Sequence, residues 1–170
     1  MPARFDHTLP VGRIRFWLMV GAAVLFALVW LPGMTAAMAS KGCANSAKPD
    51  ATRLRLCNAA VAVGRFSIFR TEPHKFGQIY MRRGIREANL GHTDAAIADM
   101  RRAVDMVTGG RPDAILPFAR AARGGGLDLR TIHGPDYWPA RLVAQTLQPD
   151  SSDRARAAWD SIVAELPARP

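Results

Sequence analysis

Cys43 and Cys57 are the two thiols of the chain, 14 positions apart. In an oxidising compartment two nearby cysteines are expected to bond. In cytosol the same pair would point to metal or redox chemistry. No further cysteine is present to complete a zinc site. Closing a loop of about 15 residues stabilises a fold by roughly 3 kcal/mol; the alternative is one buried structural thiol and one exposed one. Other reactive side chains form no constellation. His74 and His92 stand beside turn residues and His133 precedes Gly134-Pro135, with no His-x-x-x-His or Gly-x-Ser-x-Gly pattern. Gly124 to Gly126 lacks the Lys-Ser/Thr that would help it cradle a phosphate. The acidic residues are mostly single, on helix faces that read as solvated. No catalytic residue, metal ligand or cofactor is therefore expected.

The compartment follows from the N-terminal 39 residues. Arg4, Arg13 and Arg15 form a basic leader, and Phe16 to Leu31 is an uninterrupted apolar run that partitions into a bilayer. Pro32-Gly33 is expected to break that helix. Ala37 and Ala39 then supply the small residues of a signal-peptidase site, with cleavage before Ser40. The alternative is an uncleaved anchor. Phe16 to Ala39 is a charge-free stretch of 24 residues, enough to cross roughly 30 Å of hydrocarbon if the helix continues through Pro32. A lipidated Cys43 fits poorly, because Lys41 puts a charge where a lipidation box is small and apolar. The expected location is periplasmic or secreted, or else anchored in an inner membrane with the remainder in the periplasm.

The whole chain, 170 residues, is 49% hydrophobic and 22% charged, which suits one globular domain rather than a disordered chain. Residues 40–170 carry 20 basic against 13 acidic side chains. A nucleic-acid partner would need aromatic platforms or a groove-entering helix with clustered arginines, and export removes that substrate. An anionic membrane surface, an acidic wall polymer and an acidic protein remain as attractors, beside plain solubility.

Helices and turns account for these residues, without strand alternation. The clearest segment is 76–107, where Phe76, Tyr80, Gly84 and Ala88 fall at four-residue steps on one face of a first helix. Leu90-Gly91-His92 breaks it. Thr93 or Asp94 is expected to cap a second helix carrying Ala96, Ile97, Met100, Ala103, Val104 and Val107 as a buried stripe. Gly84 and Ala96 are small where the two backbones of an antiparallel hairpin approach, and Met100 fills the gap beside them.

This pattern resembles the tetratricopeptide repeat. Tyr80, Gly84, Leu90-Gly91, Ala96-Ile97, Met100 and Ala103 fall where that repeat places them, and the chain is most similar to the short repeat proteins exported by proteobacteria. Arg83, Glu87 and Thr108 depart from the pattern, which argues against a long regular superhelix. The resemblance implies a concave groove lined by Gln78, Met81, Arg82, Ile85 and Asn89, receiving an extended peptide or a partner helix. Met81 and Ile85 are apolar where a carboxylate clamp would need Lys or Asn. The expected ligand is therefore a partly hydrophobic peptide with an acidic residue near Arg82 or Arg86. The alternative is that Met81 and Ile85 lie buried under neighbouring helices.

A partial second copy lies 43 residues upstream, where Leu54, Cys57, Ala60 and Val61 repeat the spacing of Ile97, Met100, Ala103 and Val104. Residues 49–64, closed by Gly64, then form the second helix of a repeat whose first helix is missing, followed by a linker over 65–74. A Cys43–Cys57 bond would tie the preceding chain across the open end of the stack. Residues 75–108 are the fuller repeat and 109–170 a helical extension. In that extension Pro117 starts or kinks a short helix around 115–122, and two more helices cover 138–147 and 153–166. Ala155, Trp159, Ile162, Val163 and Leu166 share a face of the last helix, Ser152 caps it, and it covers the open end of the hairpin. The alternative for Trp138 and Trp159 is to anchor a partner. One and a half repeats fall short of the three or so that bury a continuous core, so the C-terminal helices, the disulfide or self-association must complete it.

The expected fold is thus all-α, a helix-hairpin stack over 40–170 behind an apolar N-terminal helix. The expected function is non-enzymatic binding of a protein or peptide in the envelope, as an adaptor or assembly factor. A structural protein on an anionic membrane surface and a small hydrolase are the alternatives.

Overall fold

The computed structural model describes residues 11–66 and 72–166, which form seven α-helices and contain no strand. Helix α1 (Val11–Ala44) is long and apolar enough to cross a membrane, and Phe16, Trp17, Leu18, Leu25, Leu28 and Leu31 on it are exposed. Arg4 and the middle of the 65–74 linker lie outside the described residues.

The break expected at Pro32-Gly33 is absent, and α1 runs through both. An internal proline costs about 3 kcal/mol, but the turns beyond it have a partner that holds them helical. That partner is α2 (Asp50–Phe66), which packs antiparallel to the end of α1. Ala39 and Cys43 are buried on this side, and Gly42 passes so close to Leu56 that an added Cβ would lie 2.6 Å from its Cδ1. Cys43 and Cys57 form a disulfide with their Cα atoms 4.9 Å apart. The end of α1 that packs on α2 therefore spans the cleavage site expected before Ser40, with Ala39 on one side of it and Cys43 on the other.

Gly64 does not close α2, which continues to Phe66. Its small size admits the ring of Phe76, whose Cε2 would meet an added Cβ at 2.6 Å. Phe76 belongs to α3 (Pro73–Asn89), and Pro73 sits in its first turn, where a missing N–H is harmless. The turn at Gly91, φ +90°, leads into α4 (Thr93–Thr108). The cap expected from Thr93 or Asp94 is not made. His92 takes that position without a side-chain bond, because Thr93 and Asp94 already lie inside the first turn. Helices α3 and α4 are the most extensively packed pair, and two glycines permit it. A Cβ on Gly84 would lie 3.0 Å from the Ala96 carbonyl, and one on Gly77 3.1 Å from that of Ala103.

After a 3₁₀ turn at Pro112–Ile115 come α5 (Leu116–Arg123), α6 (Tyr137–Thr146) and α7 (Asp153–Glu165). Ser152 Oγ caps α7 by accepting from the Ala155 N–H at 3.3 Å. Helices α6 and α7 pack on α3 and α4, so Leu142, Val143, Trp159 and Ile162 join Tyr80, Met81, Ile85 and Met100 in one core. Trp159 is core. Trp138 is half-buried.

Candidate functional site

Helix α3 has two apolar sides. Phe76 and Tyr80 meet Gly64 and Arg65 of α2 and Gly84 meets Ala96 and Met100 of α4, while Gln78, Met81, Arg82, Ile85 and Asn89 line the side expected to form a groove. That groove is filled. Met81 is 0%, Ile85 1% and Gln78 5% exposed. Gln78 donates to the Trp138 carbonyl at 3.4 Å and accepts from Gln145 Nε2, both in α6. Asn89 donates to Asp50 Oδ2 at 2.8 Å and to the Asp150 carbonyl at 2.9 Å, and accepts from the Ser152 N–H at 3.0 Å. The open groove is thus corrected to a seam. An apolar stripe cannot stay in water when the same chain carries helices able to cover it.

Next to this seam is an ion cluster that sequence reasoning missed. Arg86, 1% exposed, donates from Nη1 to Asp50 Oδ1 at 2.8 Å and from Nη2 to Asp150 Oδ2 at 2.7 Å. Arg53 Nη2 meets the same Asp150 oxygen at 2.7 Å, and its Nε donates to the Cys43 carbonyl at 3.3 Å. The cluster joins α1, α2, α3 and the loop before α7. Burial alone would raise the Asp150 pKa, but hydrogen bonds and charge from Arg53 and Arg86 outweigh it and hold the carboxyl below its usual value. One signal was available: Arg86 is a charge inside the stripe of Ile85 and Asn89, and a covered stripe must supply it with carboxylates.

Arg82 differs from its neighbours. Arg83 forks onto Asp99 of α4 at 2.5 and 2.6 Å, and Arg86 holds two carboxylates. Arg82 is half-buried and forms no ion pair or hydrogen bond with a described residue. Burial, then the positive charges of Arg141, Arg53 and Arg86, push its pKa down, with Asp150 opposing. A guanidinium so placed favours an incoming anion, and its planar fork suits a carboxylate.

In comparisons with family models, curated proteins and solved structures, this chain matches none. The chemistry of the site follows from its own surroundings. His74 pairs with Glu72 at 2.8 Å and stacks on Trp138 with ring centroids 4.2 Å apart; His92 pairs with Glu87 at 2.6 Å. No group of three metal-ligating side chains occurs among the described residues. Two clefts, about 140 Å³ beside Val143 and Trp159 and about 210 Å³ beside Val104 and Ile162, are smaller than the roughly 300–1,000 Å³ of ligand pockets. Ala37, Ala39 and Ser40, the expected cleavage residues, lie within α1.

Proposed function

We propose that this chain is a non-enzymatic, tetratricopeptide-like interaction module of the bacterial-type cell envelope, anchored by a retained α1 with its helical stack in an oxidising compartment. Retention is supported by the burial of Ala39 and Cys43 against α2 and by the disulfide that follows. Cleavage before Ser40 would leave five residues of α1, too few to hold a helix alone. Arg13 and Arg15 before the apolar run favour a cytoplasmic N-terminus.

Arg82 carries the binding reading. With the apolar groove occupied from within, the partner's recognition element becomes an acidic side chain or terminus that pairs with this guanidinium, rather than an extended apolar peptide. The test is crosslinking capture from intact envelopes with wild type and with Arg82→Glu, after both melt at the same temperature. A partner held by the wild type and lost on charge reversal supports the adaptor. Equal capture by both removes Arg82 from the interface.

A further inference from the structure

The end of the helical stack bearing His74, Lys75, Tyr137 and Trp138 lies, we infer, in the headgroup region of the bilayer that holds α1. This rests on the reading of α1 as a retained anchor, and adds to it an orientation and a second contact with lipid.

The observation behind it is that no loop separates the apolar run from the folded stack. Helix α1 is continuous from Val11 to Ala44. A span begun after Arg15 uses about 20 residues for the hydrocarbon, and so ends near Thr35. The remaining turns of α1 reach only about 13 Å further, at 1.5 Å per residue, and the stack is bonded to them at Cys43.

The helix registers then say which end of the stack faces the membrane. Helix α2 pairs Cys57 with Cys43 and runs back along α1, so Gly64 and Arg65 come level with Thr35 and Ala36. Gly64 meets the ring of Phe76, which places the start of α3 at that level. The ring of His74 stacks on Trp138, bringing the start of α6 alongside. Arg141 lies 5.8 Å from the centroids of both Tyr137 and Trp138 and donates to the Tyr137 hydroxyl at 2.8 Å.

Rings with an apolar body and a polar edge favour the membrane interface, and tyrosine and tryptophan are enriched there. Lys75 and Arg65 add charge for lipid phosphates, while Glu72 and the exposed Asp136 at the same end offset it. The contact is therefore carried by the rings, and zwitterionic lipid is enough. Arg82 stands two turns further along α3 than Lys75, about 10 Å, so a partner reaching it works close to the membrane surface.

The test uses the full chain in its own membrane, with a benzophenone amino acid introduced at Lys75, Asp136, Asp94 or Phe26. All four positions are exposed, and Asp94 stands at the opposite end of α3–α4. Irradiation followed by mass spectrometry should find phospholipid adducts at 75, 136 and 26 and none at 94. Adducts at 26 without any at 75 or 136 overturn the docked orientation and leave the anchor standing. No adduct at 26, with protein extracted by alkaline carbonate, overturns the anchor and this inference together.

Discussion

Cys43 in the last turn of α1 is bonded to Cys57 in the middle of α2, and Arg53, one turn before Cys57, donates from Nε to the Cys43 carbonyl at 3.3 Å. A helix ends with carbonyls that lack intrahelical donors. Arg53 satisfies one of them at the point where the covalent link is made, so the two devices fix the same turn. Replacing both cysteines by alanine should cost about 3 kcal/mol from loop closure. It should lower the melting temperature by about 6–12 °C. Thermal unfolding of that variant against wild type checks this; an unchanged melting temperature would mean the staple carries no strain-free constraint.

The Arg86–Asp150 pair makes acid sensitivity a property of the α6–α7 loop. Folding lowers the Asp150 pKa, so its contribution is present above the unfolded value of about 4 and is lost as pH falls through the lower folded value. Asp150→Asn should flatten the loss of stability below about pH 4. Arg86→Leu should destabilise at neutral pH by less than the roughly 3–5 kcal/mol of a fully buried pair, because Asp50 and Asp150 are partly exposed and Arg53 stays beside both. Urea unfolding at a series of pH values measures both.

Gly84→Ala pushes a methyl to within 3.0 Å of the Ala96 carbonyl and 2.9 Å of Met100 Cγ. A backbone oxygen cannot swing away as a side chain can, so the α3–α4 hairpin must separate at a cost of about 1–3 kcal/mol. Gly33→Ala meets nothing within 4 Å and should leave the melting temperature the same or slightly higher. Paired melts of the two variants test the close approach directly.

Met81→Glu with Ile85→Glu should abolish folding, because both side chains are sealed in the core, where a carboxylate loses its hydration. Arg82→Glu, on a half-buried site beside Arg141, should fold. Circular dichroism of the three substitutions separates a covered seam from an open groove; a folded double variant would reopen the groove.

What could be read without the structure was local. The steps of Phe76, Tyr80, Gly84 and Ala88, the Gly84–Ala96 approach, the Ser152 cap and the Cys43–Cys57 pairing each follow from spacing within or between adjacent elements. The all-α stack follows from them. Two matters depended on distant segments. Whether Met81 and Ile85 are exposed is decided by α6 and the loop before α7, some 60 residues away in the case of Gln78 and Trp138. Pro32-Gly33 carries the local signature of a helix end, and only the packing of Ala39 and Cys43 on α2 explains why the helix goes on. That Arg82 forms no ion pair or hydrogen bond with a described residue emerged only with Asp50, Asp99 and Asp150 committed to Arg53, Arg83 and Arg86.

On the proposed reading, the end of α1 is part of the fold and is kept. The intact mass of the protein purified from the membrane of a cell that exports it tests this most directly. A retained anchor gives a chain that keeps residues 16–39, disulfide-bonded and resistant to carbonate extraction. A mature chain beginning at Ser40 and folded in the soluble fraction would contradict it.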